Sequence, residues 1–344
     1  MAQVTISGFI DQAYNTVRST TATGASSTVT SVGNNAIGQD ALGFAVSEDL
    51  GNGITAFGAV NLIMNVTTPS GAVTTDNGSG VGVKGAFGTA GFAQGYSFVW
   101  KTSAASDASG WGTGVGNVHG VGAGGNGGNA VYYILPEIVP GLGLGLGVEK
   151  AAGETSTRQG DYLGMNATYT TGGFMASYST GSYKAAGTVP FAAVAATTTA
   201  AAVAGRDGEW YATPTVGATG YTTEADTAGS KSTISALALT YDFGMAKLFG
   251  GYNSNQSGGN SNQTQNSSTI GLTVPFGATS IGIAQSQASY RSVTNTSAKT
   301  VTGTRLLAKY AFSKRTNGYI QYGTAKISGG ASATGNGIGL THSF

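Results

Sequence analysis

The chain of 344 residues holds 58 glycines, no cysteine, 40% apolar residues and only 9% charged residues, against about 25% charge in ordinary globular domains. That composition argues against a soluble enzyme, and the missing cysteines exclude disulfide frameworks, thiolate zinc sites and thiol nucleophiles. A net charge of +1 gives no electrostatic footprint for nucleic acid, while 16 Tyr and 13 Phe argue against disorder.

Alternation with period two begins at once, with Val4, Ile6 and Ile10 against Thr5, Ser7 and Asp11 in a strand over 3–17. Any secretory signal peptide is therefore expected to lie outside this numbering. Further strands are predicted over 36–50, 52–67, 79–87, 90–100, 129–136, 140–152, 160–171 and 173–184, then over 231–243, 246–256, 266–276, 279–290, 300–313, 317–327 and 334–344. Ile270, Leu272, Val274 and Phe276 alternate with Thr269, Gly271 and Thr273, and Leu237, Leu239, Tyr241 and Phe243 do so with Ala236, Ala238, Thr240 and Asp242. No run of about 20 apolar residues exists for a helical span, and helical periodicity never lasts three turns. The fold class read from this is all-β.

Sixteen strands is an even number, and their connections alternate between tight turns and long Gly/Ser/Thr/Asn-rich loops near 18–35, 68–78, 101–128, 153–159, 185–230, 256–266, 291–299 and 328–333. Such alternation suits a transmembrane β-barrel with short turns at one end and long loops at the other. One face of each strand is apolar and the other is mostly Gly, Ala, Ser and Thr, which fits lipid outside and a lumen inside better than a soluble sandwich. Aromatics near strand ends (Tyr241/Phe243, Phe249/Tyr252, Tyr310/Phe312, Tyr319/Tyr322 and Phe344) are expected to form interfacial girdles.

Several segments carry a resemblance to a family. Leu307–Thr316 followed by Tyr319, and the ending Gly339-Leu340-Thr341-His342-Ser343-Phe344, resemble the Y-x-L-S-K-R-T-x-x-Y and G-L-x-H-x-F ends of the trimeric general porins of Gram-negative outer membranes, of the beta-proteobacterial type. Ser47–Gly53, Val83–Thr89 and Val4–Asp11 are similar to that family's G-S-E-D-L-G-x-G turn, its G-L-K-G-x-F-G-T segment and its first strand. The resemblance implies one domain over 1–344, a sixteen-stranded antiparallel transmembrane barrel, a homotrimer, and a third loop, about 101–128, folded into the lumen. It implies an outer-membrane location, with outer-membrane lipid around the barrel, lipopolysaccharide at the external rim, and the barrel-assembly machinery as partner in biogenesis. Ile338, Leu340 and Phe344 fit the assembly signal.

The resemblance also exposes a departure. The family's S-R-x-G-x-R/K-G-S-E-D segment aligns with Asp40–Asp49, so both basic positions are alanines, Ala41 and Ala45. The arginine of F-G-T-x-x-x-G-R becomes Gln94. Strand parity nominates Lys84, Arg305 and Lys309 as wall cations and Asp11 and Asp242 as lumen acids. The third loop adds Lys101, Asp107 and His119, with Trp111 as a packing anchor. Residues 231–344 hold nine basic residues and one acid (+8), and residues 1–230 hold seven and fourteen (−7). That split predicts a transverse field across the pore, basic on the C-terminal side.

No Ser-His-acid or metal-ligand constellation accompanies the two histidines. Gly122–Gly127 satisfies G-x-G-x-x-G by glycine abundance, with no helix behind it. No cofactor or enzymatic activity is expected. The expectation is an outer-membrane porin passing small hydrophilic solutes and ions, weakly anion-preferring or nearly unselective. The alternatives are a non-conducting structural or adhesive surface protein, or a substrate-specific channel. Loop 185–230 fits a lid, an epitope or a partly disordered segment equally well.

Overall fold

A computed structural model describes residues 3–34, 37–38, 40–64, 73–75, 78–108, 115–116, 118, 126–150, 159–184, 231–257, 264–291 and 299–344. Eighteen strand segments form one antiparallel sheet: β1 (Gln3–Thr20), β2 (Ser26–Asn34), β3 (Ala41–Gly51), β4 (Ile54–Met64), β5 (Val73–Thr75), β6 (Ser79–Gly85), β7 (Gly88–Tyr96), β8 (Asn126–Ile134), β9 (Leu142–Lys150), β10 (Gln159–Thr171), β11 (Phe174–Lys184), β12 (Lys231–Asp242), β13 (Lys247–Ser257), β14 (Thr264–Phe276), β15 (Thr279–Arg291), β16 (Lys299–Ala311), β17 (Thr316–Ile327) and β18 (Ser332–Ser343). One helix, α1 (Phe98–Ala105), follows β7.

The sheet closes on itself. β1 pairs with β18 from Phe9↔Ser343 to Thr20↔Ser332, and Phe344 and Gly8 exchange backbone hydrogen bonds of 2.9 and 3.0 Å. Closure satisfies every ladder without an edge, which a sheet in hydrocarbon requires. β2 and β3 both pair with β1 and make a single stave, interrupted at 35–40; β5 and β6 make another beside β4. Eighteen segments thus give sixteen staves. Among the described residues no helix is long and apolar enough to cross a membrane.

Parity follows the two solvents. Val4, Ile6, Phe44, Val81, Phe92, Leu146, Ile270, Ile283, Leu306, Ile338 and Leu340 are exposed on the outer face, while their neighbours at odd spacing turn inward. Tyr241/Phe243 and Tyr310/Phe312 pack tilted and edge-on, with ring centres 4.5 and 5.2 Å apart, near the short-turn end, as girdle aromatics do. At that end Gly51, Gly88, Gly141, Gly172, Gly244 and Gly277 take positive φ. The β16–β17 turn instead uses the Ser313 hydroxyl as acceptor for the N–H groups of Arg315 and Thr316.

Four expectations are corrected. The segment expected as loop 18–35 is mostly a hairpin of β1 and β2, because Val29 and Val32 extend the outer alternation. The strand expected over 90–100 ends at Tyr96, where Ser97 caps α1 by accepting from the Trp100 N–H. Tyr319 is no girdle residue: it is buried on the inner face. Phe249 also faces inward by parity with buried Asn253 and Asn255, and Lys247 Nζ lies 5.1 Å from its ring centre. Loop 185–230, Trp111, His119 and most of Gly122–Gly127 lie outside the described residues.

Candidate functional site

The third loop leaves the wall after β7, and its described residues, up to 108 and at 115, 116 and 118, lie along the inner face of the barrel. Thr102 in α1 exchanges hydroxyl hydrogen bonds with Ser177 (2.9 Å) and Ser179 (2.6 Å) of β11, and Asn253 of β13 donates to Ser103 at 2.9 Å. Val99 packs against Tyr162, Ile234 and Ala236. Farther on, the Ala108 carbonyl accepts from Thr273, the Gly116 carbonyl from Ser286, and the Val118 N–H donates to that same Ser286 hydroxyl. Val118 packs on Ala288, Val301 and Ile327; Val115 packs on Ala325, Ala331 and Ala333, with Val17 of β1 alongside.

Small wall residues make this path possible. A Cβ at Gly271 would strike Ala108, one at Gly303 would strike Gly116, and one at Gly323 would strike the Val115 carbonyl. Gly116 itself has φ of 99° and sits against the Thr304 carbonyl, a conformation and a contact that exclude side chains. The Gly/Ala/Ser face of β11–β18 is therefore largely a bed for the loop, the loop-filled form of the lumen that small inward residues suit.

A second inward element lies against the wall of β1, β16 and β17, where Ile37 packs on Ala13, Leu307 and Tyr319. Where β2 breaks from β3, residues 37, 38 and 40 turn into the lumen and are held by Asp11. The Asp11 carboxylate accepts from the N–H groups of Ile37 (2.6 Å) and Gly38 (3.0 Å) and from the Tyr319 hydroxyl (2.6 Å). The Asp11 N–H donates to Asp40 at 2.6 Å. Asp11 is fully buried and acts as a structural anchor in the lumen wall.

Arg305 joins the two systems. It is 1% exposed, donates to Gln321 at 2.8 Å, and lies in the electrostatic reach of Asp107 on the loop and Asp11 on β1. Gln321 passes the network on to Asn15 at 3.0 Å. Lys309 is half-buried on the same face and feels the like charge of Arg305. Four of the sequence-derived residues (Asp11, Asp107, Arg305, Lys309) therefore gather in one network, with Asp11 and Arg305 buried and Asp107 and Lys309 half-buried.

The others lie apart. Lys84 faces the lumen by parity but sits one residue from the end of β6, and Asp242 caps the next turn by accepting from the Gly244 N–H at 2.7 Å. Gln94 shares the outward parity of Phe92, because Gly91 and Ala93 are the inward positions; it borders the lumen only where β7 leaves the wall. Ala41 and Ala45, in contrast, do have inward parity on β3, opposite to Phe44 and Val46.

Among the described residues, one open space lies between α1 and the wall of β4–β10. It is a cavity of about 450 Å³ lined by Phe57, Phe98, Tyr132, Ile134 and Tyr162, by small residues, and by Lys101 and Glu149. Lys101 reaches water there, and no described carboxylate pairs with it. The surrounding protein strips part of its hydration and pulls its pKa below the ordinary 10.5. Glu149 is buried and already engaged in an interaction of its own. Sequence reasoning missed Glu149 and the four rings. Parity held the signal: in 143–149 glycines face in, leucines face out, and Glu149 continues the inward series.

The comparisons agree with this architecture. A family model of the Gram-negative porin matches residues 1–330. The anion-selective porin from Comamonas acidovorans superposes with a TM-score of 0.75 at 20% identity, covering 100% of both chains. The trimer form of OmpT from Vibrio cholerae (0.68, 13%, covering 100% and 99%) and the outer membrane channel DcaP of Acinetobacter baumannii (0.68, 13%, covering 100% and 97%) are also similar. At these identities the likeness is one of fold. No curated protein matches the chain at a significant level. With a barrel closed by β1 and β18, an inward third loop and a family model spanning nearly its whole length, the chain belongs to the Gram-negative porin family of outer-membrane diffusion channels.

Proposed function

We propose that the chain works as a homotrimeric, weakly anion-preferring channel for small hydrophilic solutes, with 1–344 as one barrel domain and no catalytic role. The observation that carries the ion preference is Lys101, a water-accessible cation in the open section without a described carboxylate partner. Arg305 contributes little to it, because Asp107 and Asp11 act on that guanidinium behind the loop. Lys84 and Asp242 tune the field near the short-turn end, where solvent screens them more, and Lys309 adds a half-buried charge beside Arg305. The missing basic positions at Ala41 and Ala45 support a weak preference. The solved neighbour named as anion-selective and the neighbour solved as a trimer support the sign and the oligomer.

Lipid covers the exposed outer face, lipopolysaccharide meets the external rim, and the barrel-assembly machinery reads Ile338, Leu340 and Phe344, whose side chains all face outward. Reversal potentials of the purified protein in planar bilayers under a KCl gradient test the reading. A small anion-side potential is expected, and strong cation selectivity would overturn it.

A further inference from the structure

The open section of the lumen is built from rings laid over bare backbone. A Cβ at Gly82 would lie 2.6 Å from Phe57 Cζ, one at Gly91 would lie 2.9 Å from the Tyr132 hydroxyl, and those at Gly145 and Gly147 would lie 3.0 and 3.2 Å from the Phe98 ring. Tyr162 covers Gly164 and Gly181 in the same way. Each ring can lie along the wall because glycine leaves its place empty, so the rings line the opening without crossing it. They surround about 450 Å³, ample for one six-membered ring with its water, since benzene fills a cavity of about 150 Å³.

Ring walls favour planar π systems, which stack in offset or edge-on geometry; saturated rings of equal size gain area burial alone. The charges in the cavity set the remaining requirement. Lys101 offers an accessible ammonium, while Glu149 is buried and engaged, so among the described residues the cavity presents one available charge and it is positive. We propose that this section transiently binds planar aromatic monocarboxylates during passage, the ring against Phe57, Phe98 and Tyr132 and the carboxylate at Lys101 Nζ. The proposal rests on the channel reading above and names a solute class for it.

The test titrates sodium benzoate and sodium cyclohexanecarboxylate against the KCl conductance of the reconstituted protein. Benzoate is expected to reach half-maximal reduction at a concentration about fivefold lower than its saturated analogue. Tyr132→Leu should bring the two acids within about twofold, and Lys101→Gln should weaken both together. Equal potency of the two acids on the wild-type protein, in a membrane that conducts KCl normally, overturns this proposal and leaves the channel reading standing. A membrane that never conducts KCl overturns both.

Discussion

Asp11 shows how one side chain organises a lumen. Its carboxylate collects two backbone N–H groups from 37–38 and the hydroxyl of Tyr319, 308 residues away in sequence. Charge-assisted bonds of this kind contribute more than neutral ones. Tyr319→Phe keeps the ring over Gly339 but removes one donor, and the expected cost is about 1–3 kcal/mol. The measurement is the temperature at which the folded form converts to the unfolded one on semi-denaturing gels; an unchanged temperature would mean that Asp11 does not depend on that bond.

Lys101 gives a residue-scale prediction with a sign. Its ammonium titrates below 10.5 because the lumen strips its hydration. Raising the pH through that lowered value removes the positive charge from the open section. Anion preference should therefore fade at a lower pH than an ordinary lysine would give, and Lys101→Arg should hold it constant. Reversal potentials measured from pH 7 upward check this; parallel curves for wild type and variant would contradict it.

At the scale of elements, the third loop and its bed are one unit. The loop presents backbone and short side chains, and the wall answers with glycine, alanine and serine. Gly323→Leu places a side chain where the Val115 carbonyl sits, so the loop must lift into the lumen. Lower single-channel conductance and greater current noise are expected, whereas Lys326→Leu, on the outer parity of the same strand, should leave both unchanged. Arg305→Met removes the guanidinium that faces Asp107 and Asp11, with an expected loss of about 3–5 kcal/mol for stranding buried Asp11 and half-buried Asp107. Restoring neutrality with Asp107→Asn in the same chain should recover part of that loss in the same gel assay.

The strands were legible because lipid and lumen impose opposite chemistry on alternate residues. Ile270 to Phe276 read outward from sequence and do face out. Tyr319 and Phe249 did not read correctly, since an aromatic near a strand end looks the same whether it anchors at the interface or packs inside; parity against Asn253 and Gly323 was the better guide. The course of the loop was illegible for a different reason. Its contacts join Ser103 to Asn253 and Ala108 to Thr273, more than 140 residues apart, and a run of Gly, Ser and Ala carries no periodicity to announce them. The α1 start did leave a local mark, Ser97 before Phe98-Val99-Trp100, as a capping residue at a helix entry.

For the whole molecule, the −7/+8 split does not become a simple field across the pore. Of the nine C-terminal cations, Lys314 and Arg315 lie in the β16–β17 turn, Lys231 and Lys326 have outward parity, and Arg305 is buried behind the loop. Parity and burial, more than position in the chain, decide which charges a passing ion meets. Lys101 lines the cavity on the β4–β10 side, where the proposed path runs.

The most direct test of that account is the reversal potential of Lys101→Glu beside the wild-type protein in the same KCl gradient. The account predicts a weak anion preference in the wild type and its inversion to cation preference in the variant, from a single exchange in the open section. An unchanged reversal potential in Lys101→Glu would contradict it, because the ions would then be passing somewhere else.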